Sequence, residues 1–255
     1  MTAPSTYLPV QYDAPPVNPP TDGLYLAATM LDRTGPDRLL SGVDIWSMNC
    51  ATGWGTWDVE PCADPGVDDL KDGERASVLT TFAPLTVWGY DQCDPTEDPA
   101  EITARALQNV RLHEQNLVET HFATRILADA GAPTAAADLV AAIGELEVQI
   151  GDAAIPGVIH LSRRYAAALD AAGVIVGSGP IPRTRLGTAL AFGSGYDVVL
   201  GTTLVATGPV TVFRSEIFQQ DTLSPDENLR AAIAERTVVA SYECLATAVE
   251  IGGTP

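Results

Sequence analysis

The sequence predicts a mixed α+β fold. One long capped helical pattern spans 98–130, shorter helical patterns follow between 135 and 172, and β-branched, strand-like runs dominate from 184 to the end. The 255 residues are 46% hydrophobic, enough for one large domain or two small ones with a real core.

The first 23 residues hold Pro4, Pro9, Pro15, Pro16, Pro19 and Pro20, which exclude a helix or a central strand and predict an extended arm. Tyr7, Leu8, Val10 and Tyr12 give it apolar side chains without a core of its own. It therefore either lies across another surface or is a disordered terminus. Leu24–Ala28 is a short apolar piece, and 42–48 alternates like a strand. Residues 49–77 are rich in Gly, Asp and Pro, carry Trp54 and Trp57, and contain no long apolar run. Residues 78–90 return to strand character, with Pro84 marking an edge or a bulge. Two strands bracketing about thirty loop-like residues describe a protruding flap, and loops of that length inside a domain are usually functional.

Asp98-Pro99-Ala100-Glu101 supplies an N-cap, a proline at the first turn and an early acid. Apolar positions recur from Ile102 to Ile126, and Gly131 and Pro133 end the run. At 1.5 Å per residue this helix is about 45 Å long, enough to span a domain. A second helix is expected over 135–150, a strand over 157–161 and a third helix over 163–172 after Ser162. Strands are expected at 184–192, 196–205 and 210–218, with turns at Gly193-Ser194-Gly195 and Thr207-Gly208-Pro209. Ser224-Pro225-Asp226-Glu227 reads as another helix start, continued by Leu229, Ile233 and Arg236. Residues 237–251 read as a strand pair or one long strand.

Lys and Arg number 14 against 33 Asp and Glu, a net charge of −19. Nucleic-acid phosphates and anionic lipid both call for clustered basic residues, so neither is expected as a binding target, and no apolar run is long enough to span a bilayer. Lys71 is the only Lys. The thirteen Arg reflect either genomic codon usage or fixed ion pairs between packed surfaces. The N-terminus lacks the features of a secretion signal, so folding in a reducing cytoplasm is expected. Cys50, Cys62, Cys93 and Cys244 are then free thiols, with a Cys50–Cys62 disulfide the alternative if the protein ends outside a cell. Their spacing fits no zinc pattern.

Catalytic motifs are scarce. His113 and His121 share one face of the long helix near Glu114 and Glu119, but no Glu-x-x-His step occurs. His160, in an apolar strand, reads as a hydrogen-bonded core residue rather than a general base. Phe192-Gly193-Ser194-Gly195-Tyr196 has the wrong spacing for a nucleophile elbow, and Val198 stands where a dinucleotide loop needs its third Gly. Asp68-Asp69 and Glu145/Glu147 read as solvated acids. No catalytic, cofactor-binding or metal-binding residue is assigned.

The order of arm, flap between two strands, long helix, α+β lobe and terminal strand resembles the major capsid proteins of tailed bacteriophages, whose fold is shared with encapsulin shells. Two local runs are similar to that family: Pro156-Gly157-Val158-Ile159-His160-Leu161-Ser162-Arg163-Arg164-Tyr165-Ala166-Ala167-Ala168-Leu169 and Val210-Thr211-Val212-Phe213-Arg214-Ser215-Glu216. The resemblance implies an N-terminal arm over 1–40, an extended E-loop over 41–97 and a spine helix over 98–133. It implies a peripheral domain of 134–179 with 236–255, and an axial domain over 180–235. Some relatives cross-link a loop Lys to an Asn of a neighbour, for which Lys71 and Asn228 are the candidates here.

The implied function is a non-enzymatic, self-assembling icosahedral shell subunit of a virion, assembled in the host cytoplasm. Its partners would be copies of itself in pentamers or hexamers, with scaffolding, portal or decoration proteins as further candidates. The shell would enclose DNA without sequence-specific binding, and no membrane partner is implied. The alternatives are an encapsulin-like compartment or minor vertex subunit, and an α+β enzyme using His160 or the Cys cluster.

Overall fold

Proline and glycine set the boundaries of the first elements. Gly23, at φ 67°, ends the proline-rich arm and opens a short helix, α1 (Gly23–Ala27). Strands β1 (Thr29–Asp32), β2 (Val43–Trp46), β3 (Leu79–Phe82) and β4 (Leu85–Cys93) follow. The strand expected over 78–90 is divided at Pro84: β3 pairs with β2, whereas β4 joins another sheet. The structure is a computed structural model and describes residues 12, 14–35, 38–50, 53–67, 71–73, 79–177 and 179–252. Tyr7, Leu8, Val10 and the Asp68-Asp69 pair lie outside the described residues.

Helix α2 (Pro99–Ala130) begins where Asp98 accepts a hydrogen bond from Ala100 N at 2.9 Å, with Pro99 in the first turn, and stops at Gly131. Next come β5 (Thr134–Ala136) and α3 (Leu139–Ala153), capped by Asp138 on Ala141 N at 2.8 Å. That helix starts later than the expected residue 135 because 134–136 pair with the C-terminal strand. Then follow β6 (Val158–Ser162), a 3₁₀ turn at Arg163–Tyr165, α4 (Ala166–Ala171), β7 (Ala189–Gly193), α5 (Tyr196–Leu200) and β8 (Thr203–Thr207). The chain ends with β9 (Val210–Arg214), β10 (Phe218–Ser224), β11 (Leu229–Tyr242) and β12 (Ala246–Ile251).

Two expected elements change type. The strand expected over 196–205 begins instead as α5, and Gly193-Ser194-Gly195 is a strand-to-helix link rather than a hairpin turn. The helix expected after Ser224 is a turn, with Asn228 at φ 50°, leading into the fourteen-residue β11. The 3.6-residue spacing of Leu229, Ile233 and Arg236 is overridden because β11 has a strand on each edge. β4 runs along one edge (Arg230↔Cys93 to Val238↔Leu85), and β10 and β9 lie end to end along the other. Between β9 and β10, Ser215 Oγ accepts from Thr237 N at 3.0 Å, so a side chain fills the gap in the ladder. β1 adds in parallel to β9.

The second sheet has the order β5-β12-β8-β6-β7. Its residues alternate strictly between two cores. Val158, Ala189, Ala191, Val205 and Ala248 face a core with Val118, Phe122 and Ile126 of α2. Ile159, Leu161, Leu190, Phe192, Leu204, Ala206 and Val249 face Ile143, Leu146 and Ile150 of α3. The N-terminal half of α2 packs Ile102, Ala106 and Val110 on Ala232 and Ala234 of β11. Gly89 permits that approach, because a Cβ there would lie 2.3 Å from Ala106 O. β5, β6, β7, β8 and β12 thus share one sheet, while β1, β4, β9, β10 and β11 share the other.

His160 is fully buried between the sheet and α2. Its Nδ1 lies 2.9 Å from Tyr196 Oη and its Nε2 2.9 Å from Thr207 Oγ1. Burial pushes its pKa down to about 3. The unfolded chain, with an ordinary histidine near pH 6.5, therefore binds a proton that the folded chain refuses. The corresponding stability, on the order of 5 kcal/mol, is fully present above pH 6.5 and is lost as the pH falls toward 3. Urea unfolding from pH 7.5 to 4 should show this slope, and His160→Gln should flatten it. An unchanged slope in the variant would contradict this account.

Candidate assembly surface

Residues 17–24 run alongside α2, gripped by one stripe of its side chains. Gln108 Nε2 donates to Val17 O at 2.7 Å, Arg111 binds the Asn18 side chain, and Gln115 Nε2 donates to Asp22 O at 2.5 Å. Glu119, 1% exposed, accepts from Leu24 N and from Gly195 N, both at 3.0 Å. One carboxylate thus ties the arm, α2 and the start of α5 together. Gly23 and Gly193 leave room for it, since a Cβ at either would lie within 2.6 Å of its side chain. The backbone at Val17, Asp22 and Leu24 is thus held by the chain's own helix, while the side chains at 14–18 are exposed.

One turn earlier, Glu114 is 5% exposed and meets Arg236 Nε at 3.0 Å, Arg214 Nη1 at 3.7 Å and the Tyr25 hydroxyl at 2.8 Å. Arg214 also forms a two-pronged pair with Asp32, at 2.7 and 3.0 Å, which holds the Asp32 carboxyl below its usual pKa. These Arg residues join distant elements, as fixed ion pairs between packed surfaces would. The sequence places Glu114 and Glu119 near the histidines of α2, and the structure buries both carboxylates. The signal for Glu114 was present, because Val110, Glu114 and Val118 stand at successive steps of four on the apolar stripe.

The flap rises from β2 and β3. Asp44 accepts from Thr81 Oγ1 at 2.7 Å, and Arg125 donates to Thr81 O at 3.0 Å and covers the Phe82 ring. Farther out, a Cβ on Gly53 would lie 3.5 Å from Gly73 Cα, so the two limbs run close together. Lys71 Nζ sits 4.4 Å from the centre of the Trp57 ring. Trp46, Met48, Trp54 and Val67 are exposed, Trp54 by 82%. On β4 and α2, Trp88, Tyr90 and Leu117 form a second exposed apolar surface, with His113 beside them. Exposed aromatics concentrated on outstretched elements mark association surfaces.

At the flap's root the cysteines depart from expectation. Cys50 is bonded to Cys244, and not to Cys62, while Cys62 and Cys93 are free. The spacing of Cys50 and Cys62 carried no information about a partner 194 residues away. Next to the bridge, Glu243 accepts from Met48 N at 2.6 Å, Asn49 N at 2.8 Å and Asn49 Nδ2 at 2.8 Å. Burial works to raise the Glu243 pKa, but these donors prevail and hold it below its ordinary value. His113 and His121 are both exposed on α2. Asn228 stands in the β10–β11 turn. Glu147, read as solvated, accepts from Thr184 and from Thr188, the latter at 2.7 Å.

No family model matches the sequence, and no curated protein matches it significantly. Solved structures match along nearly the whole chain. The capsid of a native GTA particle aligns with TM-score 0.58 at 10% identity, covering 98% of this chain and 97% of that one. The mature capsid of bacteriophage PhiM1 aligns with TM-score 0.53 at 12% identity, covering 98% and 92%. A virus-like particle from Pyrococcus furiosus aligns with TM-score 0.50 at 12% identity, covering 90% and 92%. The chain has the α+β phage major-capsid fold that the sequence resemblance implied.

Glu119→Ala strands two buried backbone donors, Leu24 N and Gly195 N, and should cost roughly 2–4 kcal/mol in urea unfolding. Hydrogen exchange over residues 17–28 should quicken in the same variant. Unchanged stability and exchange would show that Glu119 does not hold the arm.

Proposed function

We propose that this chain is a structural, non-enzymatic subunit that assembles with copies of itself into an icosahedral shell, the major capsid protein of a tailed phage enclosing its DNA. The observation that carries this reading is the match in fold over almost the full length of both chains, joined to a flap whose aromatics its own core does not cover. In this reading residues up to 40 are the N-terminal arm, 41–97 the E-loop with its supporting strand, and α2 the spine helix. The resemblance implied a peripheral domain of 134–179 with 236–255 and an axial domain over 180–235. Following the two sheets instead, we take β1, β4, β9, β10 and β11 with α2 as the peripheral domain, and β5–β8 and β12 with α3 and α4 as the axial domain.

Shell formation needs only modest contacts at each interface, because closed symmetry multiplies them. The flap suits that role: Trp46, Met48 and Trp54 gain burial only against another molecule, and buried aromatics carry much of an interface's energy. The subunit's −19 charge suits a container that does not trap the nucleic acid it holds. Location in a virion after assembly in the host cytoplasm belongs to the same reading.

An encapsulin-like compartment is the second reading, since the family that the sequence resembles shares its fold with such shells. The contents of purified particles separate the two: nucleic acid supports the capsid, a packaged protein the compartment. An enzyme built on His160 finds no support, since both ring nitrogens are engaged in the core.

Replacing residues 53–77 with a short Gly-Ser link keeps Cys50 and the β2–β3 pair. The variant should fold with near-normal stability yet yield soluble subunits in place of closed particles by negative-stain microscopy. Unaltered particles would overturn the flap's role in assembly.

A further inference from the structure

The flap's root combines a covalent tie with a polar one. Cys50 follows β2 on the outgoing limb, and Cys244 lies in the link between β11 and β12, where the two sheets meet. The bridge therefore fixes the flap to the junction of the two sheets. Beside it, Glu243 gathers three donors from residues 48 and 49. Cys244 is exposed and Cys50 half-buried, so small thiols and disulfides can reach the bond. Outward of this corner the described flap residues rest on one another, at Gly53 and Gly73 and at Trp57 and Lys71.

We propose that Cys50 and Cys244 form a redox-sensitive latch that sets whether the flap is fixed to the body. With the thiols reduced, the root is held by hydrogen bonds to Glu243, and the flap turns about β2 and β3. With the bridge formed, the root cannot leave the body. Closure needs an oxidised low-molecular-weight disulfide of the glutathione type. One protein thiolate attacks it, releasing a first small thiolate and forming a mixed disulfide. The second protein thiolate then displaces the other small thiolate. One protein disulfide and two small thiols result, and the two protons lost by the cysteines pass to the released thiolates. A thiol-rich cytoplasm keeps the latch open while subunits meet, and a more oxidising medium closes it afterwards. This timing rests on the shell reading; the latch itself does not.

The test uses the full chain, reduced with a thiol reagent or treated with oxidised glutathione, then alkylated and analysed by peptide mass spectrometry and hydrogen exchange. Cys62 and Cys93, free in the structure, serve as internal controls. Oxidation should join Cys50 to Cys244 in one disulfide-linked peptide pair, with Cys62 and Cys93 carrying at most a glutathione, and reduction should speed exchange at Met48 and Asn49 at least tenfold. Cys50→Ser should show the fast exchange in both conditions. Alkylation of both cysteines after glutathione treatment, or exchange that differs less than twofold between the two forms, would overturn the latch. Electron microscopy of the same samples tests the other reading: if neither form makes closed particles, the shell assignment fails while the thiol and exchange results still decide the latch.

Discussion

Glu114 and Glu119 sit on the inner stripe of α2, where an unpaired charge would be costly. Each is kept there by groups from distant parts of the chain: Tyr25, Arg214 and Arg236 around Glu114, and Leu24 N and Gly195 N around Glu119. The arm, the long hairpin of β9–β11 and the start of α5 are thereby fixed in one arrangement. Apolar packing alone is non-directional and would leave the register of the arm on α2 loosely set. The polar contacts specify that register, at a cost that the surrounding pairs offset.

The sequence leaves the arm either lying across another surface or disordered; in the structure residues 17–24 are bound by their own helix. The flap keeps its exposed tryptophans, and the β4–α2 surface adds Trp88, Tyr90 and Leu117. The centre of the molecule is packed and internally paired, while the flap and the β4–α2 surface keep their aromatics exposed.

Local rules made much of this legible. Asp98 and Pro99 mark the start of α2 and Gly131 its end, while Pro84, legible only as an edge or a bulge, is where the chain passes from one sheet to another. Tertiary pairing erased other signals. Ser224-Pro225-Asp226-Glu227 is a sound helix opening, yet strands on both edges of β11 outweigh it. Tyr196-Asp197-Val198-Val199-Leu200 has strand-like residues but folds as α5, with Tyr196 and Leu200 buried four positions apart. At the candidate surface, the aromatic flap could be read from composition and Glu114 from its place in the apolar stripe. Glu243 and the Cys50–Cys244 bridge could not, because they depend on a contact between residues nearly two hundred positions apart.

If this chain is completed by copies of itself, light scattering of the purified intact protein over a range of concentrations should show a threshold above which particles of many subunits appear beside free subunits, with few species of intermediate size, as closed symmetric assembly requires. A single subunit mass at every concentration, up to the solubility limit and in either redox state, would contradict it.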